Sequence, residues 1–375
     1  MLRYLTAGES HGKALVVIID GVPAGLKFDE NFINAELVRR MSGYGRGKRM
    51  SIEHDKVEVL SGLRNGKTIA SPLTLMIVNK DYKINQLPDV YCPRPGHADL
   101  AGLLKYGFDD ARDVLERASA RETAARVAAG AFSKLLLKEF GIKIASHVIS
   151  IGNVHADLGT RTLETIIKQA ELSPVRSADP KASKRMQNVI DDAARRGDTL
   201  GGTFEVVALG VPAGLGSYTQ WDRKLDGNLA RAVMSIQAIK AVSIGAGFES
   251  AGKKGSDCHD QIFYDKKKNI FVRDSNNAGG IEGGVTNGSP ISVTGCMKPI
   301  ATLMKPLVSV DIRNKKEAKA STERSDVTAV PAAGVVAESM VALEIAREFL
   351  FKFGGDSMKE IRRNYDGYMR ELRRR

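Results

Sequence analysis

The sequence is poor in cysteine and lacks a long apolar run. Its three cysteines, Cys92, Cys258 and Cys296, are far apart and form no CxxC pair. The odd count and wide spacing argue against a disulfide framework and against a zinc site. No apolar run approaches the length of a membrane span, and the first residues, MLRYLTAGESHG, lack the hydrophobic core of a signal peptide. We therefore expect a cytoplasmic protein with no membrane partner.

Aromatic residues are also scarce, and this bears on the partner of a basic chain. The 375 residues carry a net charge of +12, whereas Phe, Trp and Tyr together make up only 6%. Proteins that bind single-stranded nucleic acid interleave basic and aromatic side chains, and no such stripe is present here. Many arginines lie instead in glycine-rich turns, which favours small anionic ligands over nucleic acid. A non-catalytic basic protein that binds anions or nucleic acid is the alternative from a different class.

Several catalytic motifs are missing as well. There is no HExxH and no clustered carboxylate–histidine spacing, so we predict no metal. Gly47-Lys48 is followed by Arg49 and has the wrong glycine spacing for a Walker loop. The same segment follows a predicted helix and not a strand, which excludes a dinucleotide fingerprint.

A charged stretch from Arg94 to Thr123 organises the chain. It opens with two prolines and a glycine around Arg94, so His97 is expected on a turn, where it can meet a ligand. Acidic and basic residues alternate as far as Glu122, and we interpret them as a charged loop; a solvated surface is the alternative. From Thr123 the residues are small and apolar at helical spacing. They predict a buried helix whose amino-terminal end suits phosphate.

Two further turns carry candidate residues in the first half of the chain. Ser10 and His11 lie in AGESHG, ahead of the predicted strand KALVVIID. A helix capped by Asp29 then runs into SGYGRGKR, a cationic loop in which glycines let backbone amides approach an anion. A flexible surface loop is the alternative. His147 and its counterparts at 155 and 259 lack such settings and are interpreted as structural or surface residues.

The sequence repeats itself. The hexapeptide GVPAGL occurs at Gly21 and at Gly210, each time after an apolar strand and before a charged helix. Residues 117–119 (RAS) and 324–326 (RSD) each precede an alanine-rich helix. Because these repeated motifs occur in the same order in both parts of the chain, we predict an internal duplication. The halves are expected at about 1–150 and 200–355 of a single domain, 1–375, with a peripheral segment at about 157–198.

These features together suit a polyanionic substrate that loses phosphate. Arginines would hold its carboxylates and phosphate, and a histidine would protonate the leaving group. The glycine-rich segment 275–284 (SNNAGGIEGG) would admit a flat ring or a phosphate. The predicted anion-binding arginines are Arg40, Arg46, Arg49, Arg121 and Arg324.

Long motifs then decide between these interpretations. AGESHG, GYGRGKRMSIEHD, RPGHADLAGLLKYG, RDVLERASARETAARVAAGA, NNAGGIEGG, MKPIATL and RSDVTAVPAAGVVAE are similar, in this order, to motifs of the chorismate synthase family. The resemblance implies an α+β fold, a β-α-β sandwich with pseudo-twofold duplication, assembled into a homotetramer. It implies a lyase that converts 5-enolpyruvylshikimate 3-phosphate to chorismate by anti-1,4-elimination of phosphate and a ring hydrogen. This is the last common step of the shikimate pathway, and it needs reduced FMN without net redox change.

The resemblance also implies roles for individual residues. His11 is expected beside the flavin, His97 near the departing phosphate, and Ser10 and Asp326 in a relay that passes on the ring hydrogen. The five arginines would hold substrate. The flavin-contacting positions would be Arg117, Ala118, Ser119, Gln237, Ala238, Gly283, Lys298, Pro299, Ile300, Ala301, Thr302 and Arg324.

Two alternatives concern the source of reduced flavin. An external flavin reductase would supply FMNH2 to a monofunctional enzyme. A bifunctional enzyme would reduce its own flavin with NADPH, but the chain length and the missing dinucleotide fingerprint argue mildly against this.

Overall fold

Two antiparallel sheets enclose a layer of helices in this computed structural model, which describes residues 1–47, 52–267, 269–323 and 325–374. The strands are β1 (Arg3–Ala7), β2 (Ala14–Asp20), β3 (Glu58–Ser61), β4 (Leu63–Arg64), β5 (Lys67–Thr68), β6 (Leu73–Val78), β7 (Lys143–Ile151), β8 (Val154–His155), β9 (Gly202–Leu209), β10 (Ile239–Ile244), β11 (Ile262–Asp265), β12 (Ile270–Arg273), β13 (Ile281–Glu282), β14 (Val285–Thr286), β15 (Ile291–Met297), β16 (Val308–Val310) and β17 (Glu317–Lys319). The helices are α1 (Glu30–Met41), α2 (Asp99–Tyr106), α3 (Arg112–Ala118), α4 (Thr123–Lys138), α5 (Leu163–Leu172), α6 (Pro180–Arg195), α7 (Leu225–Met234), α8 (Gly255–Cys258), α9 (Val330–Phe353) and α10 (Met358–Leu372).

The two main sheets have the same topology. The first has the order β1-β2-β6-β3, and the second has the order β7-β9-β15-β10 with β8 added beside β7. Every pairing in both sheets is antiparallel. The predicted duplication is therefore confirmed, while the boundaries of the halves stay a prediction.

The repeated hexapeptide forms the same turn twice. The glycine that opens each copy has a positive φ, 78° in the first and 76° in the second, which favours glycine. Thr68 Oγ1 donates to Pro23 O at 2.6 Å, and Thr286 Oγ1 donates to Pro212 O at 2.7 Å. A threonine from a short hairpin thus closes each turn in the same way.

The long helices α4 and α9 cross in the core between the sheets. They approach closely at Gly130, where an added Cβ would lie 2.2 Å from Ser339 Cβ. A buried charge cluster ties these helices to α1 and to the end of α5. Its members are Glu36, Arg39, Lys134, Glu171, Arg176 and Glu338.

Most predicted elements are confirmed. KALVVIID contains β2, the helix capped by Asp29 is α1, and the buried helix from Thr123 is α4. Asp29 caps α1 by accepting from Phe32 N at 3.1 Å. The charged loop predicted for the organising stretch is wrong over much of its length, because α2 and α3 form there. Their buried faces include Leu103 and Leu115, apolar positions that the dense charge pattern masks.

The segment predicted to be peripheral connects β7 and β8 to β9 and contains α5 and α6. Its composition is polar, yet Ala182, Met186 and Ile190 belong to the main hydrophobic cluster. An amphipathic helix needs only one apolar stripe to bury itself, so a polar average hides this contact. Across the described ranges, no helix is long and apolar enough to cross a membrane.

Candidate functional site

The turn that carries Ser10 and His11 joins β1 to β2 at one end of the first sheet. Asn79 holds it, because its Nδ2 donates to Gly12 O at 2.8 Å. Glu116 of α3 reaches the same turn. Its Oε2 accepts from the His11 backbone N at 2.7 Å, and its Oε1 lies 2.9 Å from His11 Nδ1. Ser10 is buried, and its backbone N donates to Glu116 O at 2.9 Å.

The state of Glu116 determines which nitrogen of His11 carries a hydrogen. Burial raises the pKa of Glu116, but hydrogen bonds from His11 outweigh it, so the pKa lies below its ordinary value. An ionised carboxylate can only accept a hydrogen bond. We therefore assign the hydrogen to Nδ1, so a proton that His11 takes up or gives away passes through Nε2.

Arg40 and Arg121 form a buried cationic pair around Asp55. Arg121 Nη1 donates to Asp55 Oδ2 at 2.7 Å, and its Nη2 donates to Asn79 Oδ1 at 2.8 Å. Arg40 Nε donates to Thr123 Oγ1 at 2.9 Å. Arg40 Nη1 lies 3.6 Å from Asp55 Oδ2 and has no hydrogen-bond partner in the described part of the chain.

This environment favours an anion. Burial lowers the pKa of Arg40 to about 9; the attraction of Asp55 offsets part of that effect, and repulsion from Arg121 adds to it. An anion bound against Arg40 Nη1 would supply the missing acceptor and stabilise the buried charge.

Arg46 and Asp326 connect the two halves beside this pair. Arg46 Nη1 lies 2.8 Å from Asp326 Oδ2, and Gly47 N donates to Asp326 Oδ1 at 2.6 Å. The charges of Arg46 and Asp326 act on the pKa of Arg40 in opposite directions, which places them near it. A predicted anion-binding residue and a predicted relay residue thus lie together. Arg49 and Arg324 lie outside the described residues.

His97 lies in the turn ahead of α2, as predicted. Its Nδ1 is 2.5 Å from Asp99 Oδ1. Arg94 binds the same carboxylate, with Nε 2.8 Å from Asp99 Oδ2 and Nη2 3.0 Å from Asp99 Oδ1. Arg94 Nη1 also donates to Thr302 Oγ1 at 2.8 Å. The turn therefore contacts a segment predicted to bind flavin.

The predicted flavin-contacting residues of the first half lie at the end of α3. Arg117 is exposed, and its Nη1 donates to Gly8 O, directly after β1 and ahead of His11, at 2.9 Å. Ala118 ends the helix, and Ser119 Oγ accepts from Arg121 N at 3.3 Å. These three positions are therefore adjacent to both His11 and the buried arginines.

Their counterparts in the second half meet the first half at the end of the second sheet. Gln237 Nε2 donates to Glu122 Oε2 at 3.4 Å, and Ala238 O accepts from Lys298 N at 2.9 Å. Lys298 Nζ donates to Gly96 O, next to His97, at 2.7 Å. Pro299, Ile300 and Ala301 complete the segment up to Thr302.

Two observations fit an anionic, polar cofactor at this junction. Gln237 Oε1 is buried and has no hydrogen-bond partner among the residues described. The pKa of Lys298 is lowered by burial and by repulsion from Lys240. A phosphate or another anion would therefore stabilise the charged form of Lys298.

Of the predicted flavin-contacting residues that the structure describes, Gly283 lies away from the others. It lies in the turn between β13 and β14, whose hairpin is bonded to the second GVPAGL turn after β9. That turn is at the Ile291 end of β15, whereas Lys298 follows the Met297 end. The fold therefore does not bring Gly283 together with the other candidate residues of this chain.

The sequence reasoning missed the acidic partners of the site. Asp55, Asp99 and Glu116 each bind a candidate arginine or histidine. Asp99 could have been found from its position two residues after His97, whereas Asp55 and Glu116 have no local signal. In the described ranges, no group of acidic, histidine or cysteine residues could hold a metal ion, and the cysteines described are free. His147 is buried in the second sheet, with its Nε2 2.7 Å from Glu205 Oε2.

Comparisons with known proteins agree along the whole chain. A family model described as chorismate synthase matches residues 2–350. The chain is 57% identical over 371 residues to a chorismate synthase of Thermoanaerobacter pseudethanolicus, with 98% of each protein covered. It is 54% identical to one of Pelobacter propionicus, with 100% of each covered. A crystal structure of chorismate synthase superimposes with a TM-score of 0.83 at 43% identity, covering 100% of this chain and 99% of the other.

Proposed function

The chain belongs to the chorismate synthase family, and on that basis we propose that it converts 5-enolpyruvylshikimate 3-phosphate to chorismate by anti-1,4-elimination. It is a carbon–oxygen lyase of that family. In the proposed reaction the carbon–oxygen bond to phosphate and one ring carbon–hydrogen bond break. Phosphate leaves with its electron pair and the hydrogen leaves as a proton, so there is no net redox change. The reaction would be the last common step of the shikimate pathway, and its product would serve aromatic amino acid biosynthesis.

The observation that carries the proposal is the buried arginine pair. Arg40 and Arg121 are both nearly inaccessible. Arg121 lies against two buried carboxylates, Asp55 at 2.7 Å and Glu53 at 3.6 Å. Arg40 lies 3.6 Å from Asp55. Arg40 Nη1 has no hydrogen-bond partner in the described part of the chain, so it suits an acceptor such as phosphate or a substrate carboxylate. Preorganised cations would also stabilise the charge that develops on the departing phosphate.

Two histidines would handle protons. His11 and His97 each have Nδ1 against a buried carboxylate, which orients the ring. We propose that His97 protonates the leaving phosphate and that His11 supplies a proton to the pyrimidine side of the flavin. Ser10 and Asp326 would form the relay that helps the flavin nitrogen take up and pass on the ring hydrogen.

Reduced FMN would be the cofactor. Arg117 to Ser119 from the first half, with Gln237, Ala238 and the Lys298 to Thr302 segment from the second, would hold it, together with Arg324. When bound, reduced flavin supplies electron density that helps phosphate leave. The remaining position, Gly283, lies apart in one chain, so we propose that it contributes from a neighbouring subunit.

We propose a homotetramer, and an exposed apolar sheet face supports it. Leu5, Ile18 and Val78 lie on the outer face of the first sheet and are 75%, 42% and 56% exposed. Large apolar side chains exposed on one sheet face are typical of subunit interfaces. Light scattering after gel filtration should give about four times the 40.6 kDa chain mass. Leu5→Lys should lower that mass, whereas Leu104→Lys, at an exposed residue of α2, should not.

The reaction is tested by an anaerobic assay with the enolpyruvyl substrate. Chorismate and phosphate should appear together when dithionite-reduced FMN is present. Oxidised FMN with NADPH should give no product, because a separate flavin reductase in the cytoplasm is part of the proposal. Product with NADPH alone would establish an intrinsic reductase instead. No product in either condition, with flavin bound, would refute the proposed reaction.

Matched histidine variants sharpen this test. His11→Asn and His97→Asn should each lower kcat by about 10²- to 10⁴-fold, the usual contribution of general acid–base catalysis. His155→Asn, at an exposed histidine away from the site, is the control and should leave kcat unchanged. Equal kcat in all three variants would show that neither His11 nor His97 takes part in the reaction.

A further inference from the structure

We propose that Asp99 is a positioning residue for His97, and that Arg94 locks this pair to the Lys298–Thr302 segment. The inference rests on the proposed function, because it assigns Asp99 a task in presenting the candidate acid of that reaction. Asp99 lies two residues after His97, and only the folded turn shows that its carboxylate contacts the imidazole.

Asp99 is built into the fold as an acceptor. It is fully buried at the start of α2, where Arg94 N donates to its Oδ2 at 3.0 Å and Arg94 Nε donates to the same oxygen at 2.8 Å. Its Oδ1 receives Arg94 Nη2 at 3.0 Å and lies 2.5 Å from His97 Nδ1. Burial raises the pKa of Asp99, but the bonds from His97 and Arg94 outweigh it, and the pKa lies well below its ordinary value.

An ionised carboxylate fixes the hydrogen of the imidazole. Because Asp99 can only accept, the 2.5 Å contact favours the hydrogen on His97 Nδ1, although the donor Arg94 Nη2 lies 3.0 Å from the same nitrogen. The neutral ring then has its lone pair on Nε2, and a proton taken up or given away must pass through that atom. Only a proton on Nε2 can be delivered to a leaving group while Nδ1 stays bonded to Asp99.

Arg94 extends the arrangement into the other half of the chain. Its Nη1 donates to Thr302 Oγ1 at 2.8 Å, and Lys298 Nζ donates to Gly96 O at 2.7 Å. Two bonds therefore join the His97 turn to the segment predicted to bind flavin. Among the described residues, the charged groups in contact with His97 are Asp99 and Arg94 of its own turn, and Lys298 contacts the neighbouring Gly96.

The kinetic test is Asp99→Asn, which keeps the shape and removes the charge. A charge-assisted hydrogen bond is worth about ten- to a hundredfold in an equilibrium, so kcat should fall by about that factor while KM stays unchanged. Asp113→Asn, at an exposed acid of α3, is the matched control and should behave as the parent. Unchanged kcat in Asp99→Asn would overturn the proposal.

A double-mutant cycle separates positioning from a general structural role. If Asp99 acts through His97, Asp99→Asn should have no further effect on kcat in a His97→Asn background. If the double variant loses kcat by the product of the two single-variant factors, Asp99 acts independently of His97, and the proposal is overturned.

A spectroscopic measurement on the unmodified chain requires neither activity nor a folded Asp99 variant. Histidine ¹⁵N shifts, with the His97 signals assigned by their loss in His97→Asn, should show hydrogen on Nδ1 in the neutral ring. Hydrogen on Nε2 would overturn the proposal even if the enzyme is active. The expected shifts in a protein that forms no chorismate would uphold the pairing and refute only the reaction.

Discussion

Replacing Glu338 by glutamine removes the central carboxylate of the buried charge cluster without changing the shape of the side chain. Glu338 is fully buried on α9. Its Oε2 accepts from Lys134 Nζ at 2.5 Å and from Arg39 Nη1 at 2.7 Å, and its Oε1 lies 3.2 Å from Arg176 Nη2. Every cation of the cluster therefore contacts this one carboxylate.

The cost follows from the charge balance. The cluster pairs three cations with three carboxylates, so Glu338→Gln leaves one buried positive charge uncompensated. Removing one partner of a buried ion pair costs about 3–5 kcal/mol. We expect the free energy of unfolding at pH 7 to fall by that amount in urea titrations at one fixed protein concentration.

The pH dependence gives a second readout. Burial raises the pKa of Glu338, but the positive charges of Lys134 and Arg39 lower it by more. Its folded-state pKa therefore lies well below the ordinary 4.5. The stabilisation is complete above pH 4.5 and is lost as the pH falls, because the parent must then protonate the same carboxylate. The gap between parent and variant should therefore close in acid.

Glu164→Gln provides the control, because Glu164 is an exposed helical glutamate of α5. It should change the free energy of unfolding by less than about 0.5 kcal/mol. The reasoning is refuted if Glu338→Gln costs no more than this control at pH 7, or if the gap between parent and variant widens in acid.

Three further substitutions test other contacts. Gly130→Ala puts a methyl group 2.2 Å from a side-chain carbon of α9, and should lower the free energy of unfolding by about 1–3 kcal/mol in urea; Gly227→Ala, with open space around it, should not. Arg40→Lys keeps the charge but loses the forked donors, so calorimetric affinity for inorganic phosphate should weaken by about 1.5–3 kcal/mol; unchanged affinity would contradict an anion site there. Glu116→Gln weakens the hold on the imidazole beside it, and kcat should fall about ten- to a hundredfold at neutral pH without a change in KM.

Local patterns in the sequence were enough to predict many elements. The apolar run at residues 14–20 forms a strand, and an acidic residue ahead of an amphipathic run caps α1. These features depend on near neighbours along the chain, so no tertiary contact is needed to recognise them. The doubled hexapeptide predicted the duplication, because the same residues build the same turn in each half. Long motifs predicted the family.

Short-range patterns failed where burial decides. Alternating charge from 99 to 118 indicated a loop, but a few apolar side chains on one face are enough to bury α2 and α3. The polar segment with α5 and α6 contributes core residues for the same reason. The strand β1 was not predicted at all, because five residues with half-exposed alternation are too weak a signal alone.

The sequence by itself determined which residue types could bind an anion and move protons, and which half of the chain carries each. Only the tertiary structure decided their partners. Arg121 meets Asp55 across 66 positions, His11 meets Glu116 across 105, and Gly47 meets Asp326 across 279. Such contacts depend on how two sheets and a helix layer pack, and many sequences with the same local patterns would pair these groups differently. Gly283 shows the converse, since its motif matches the family while the packing of one chain leaves it at the far end of the second sheet.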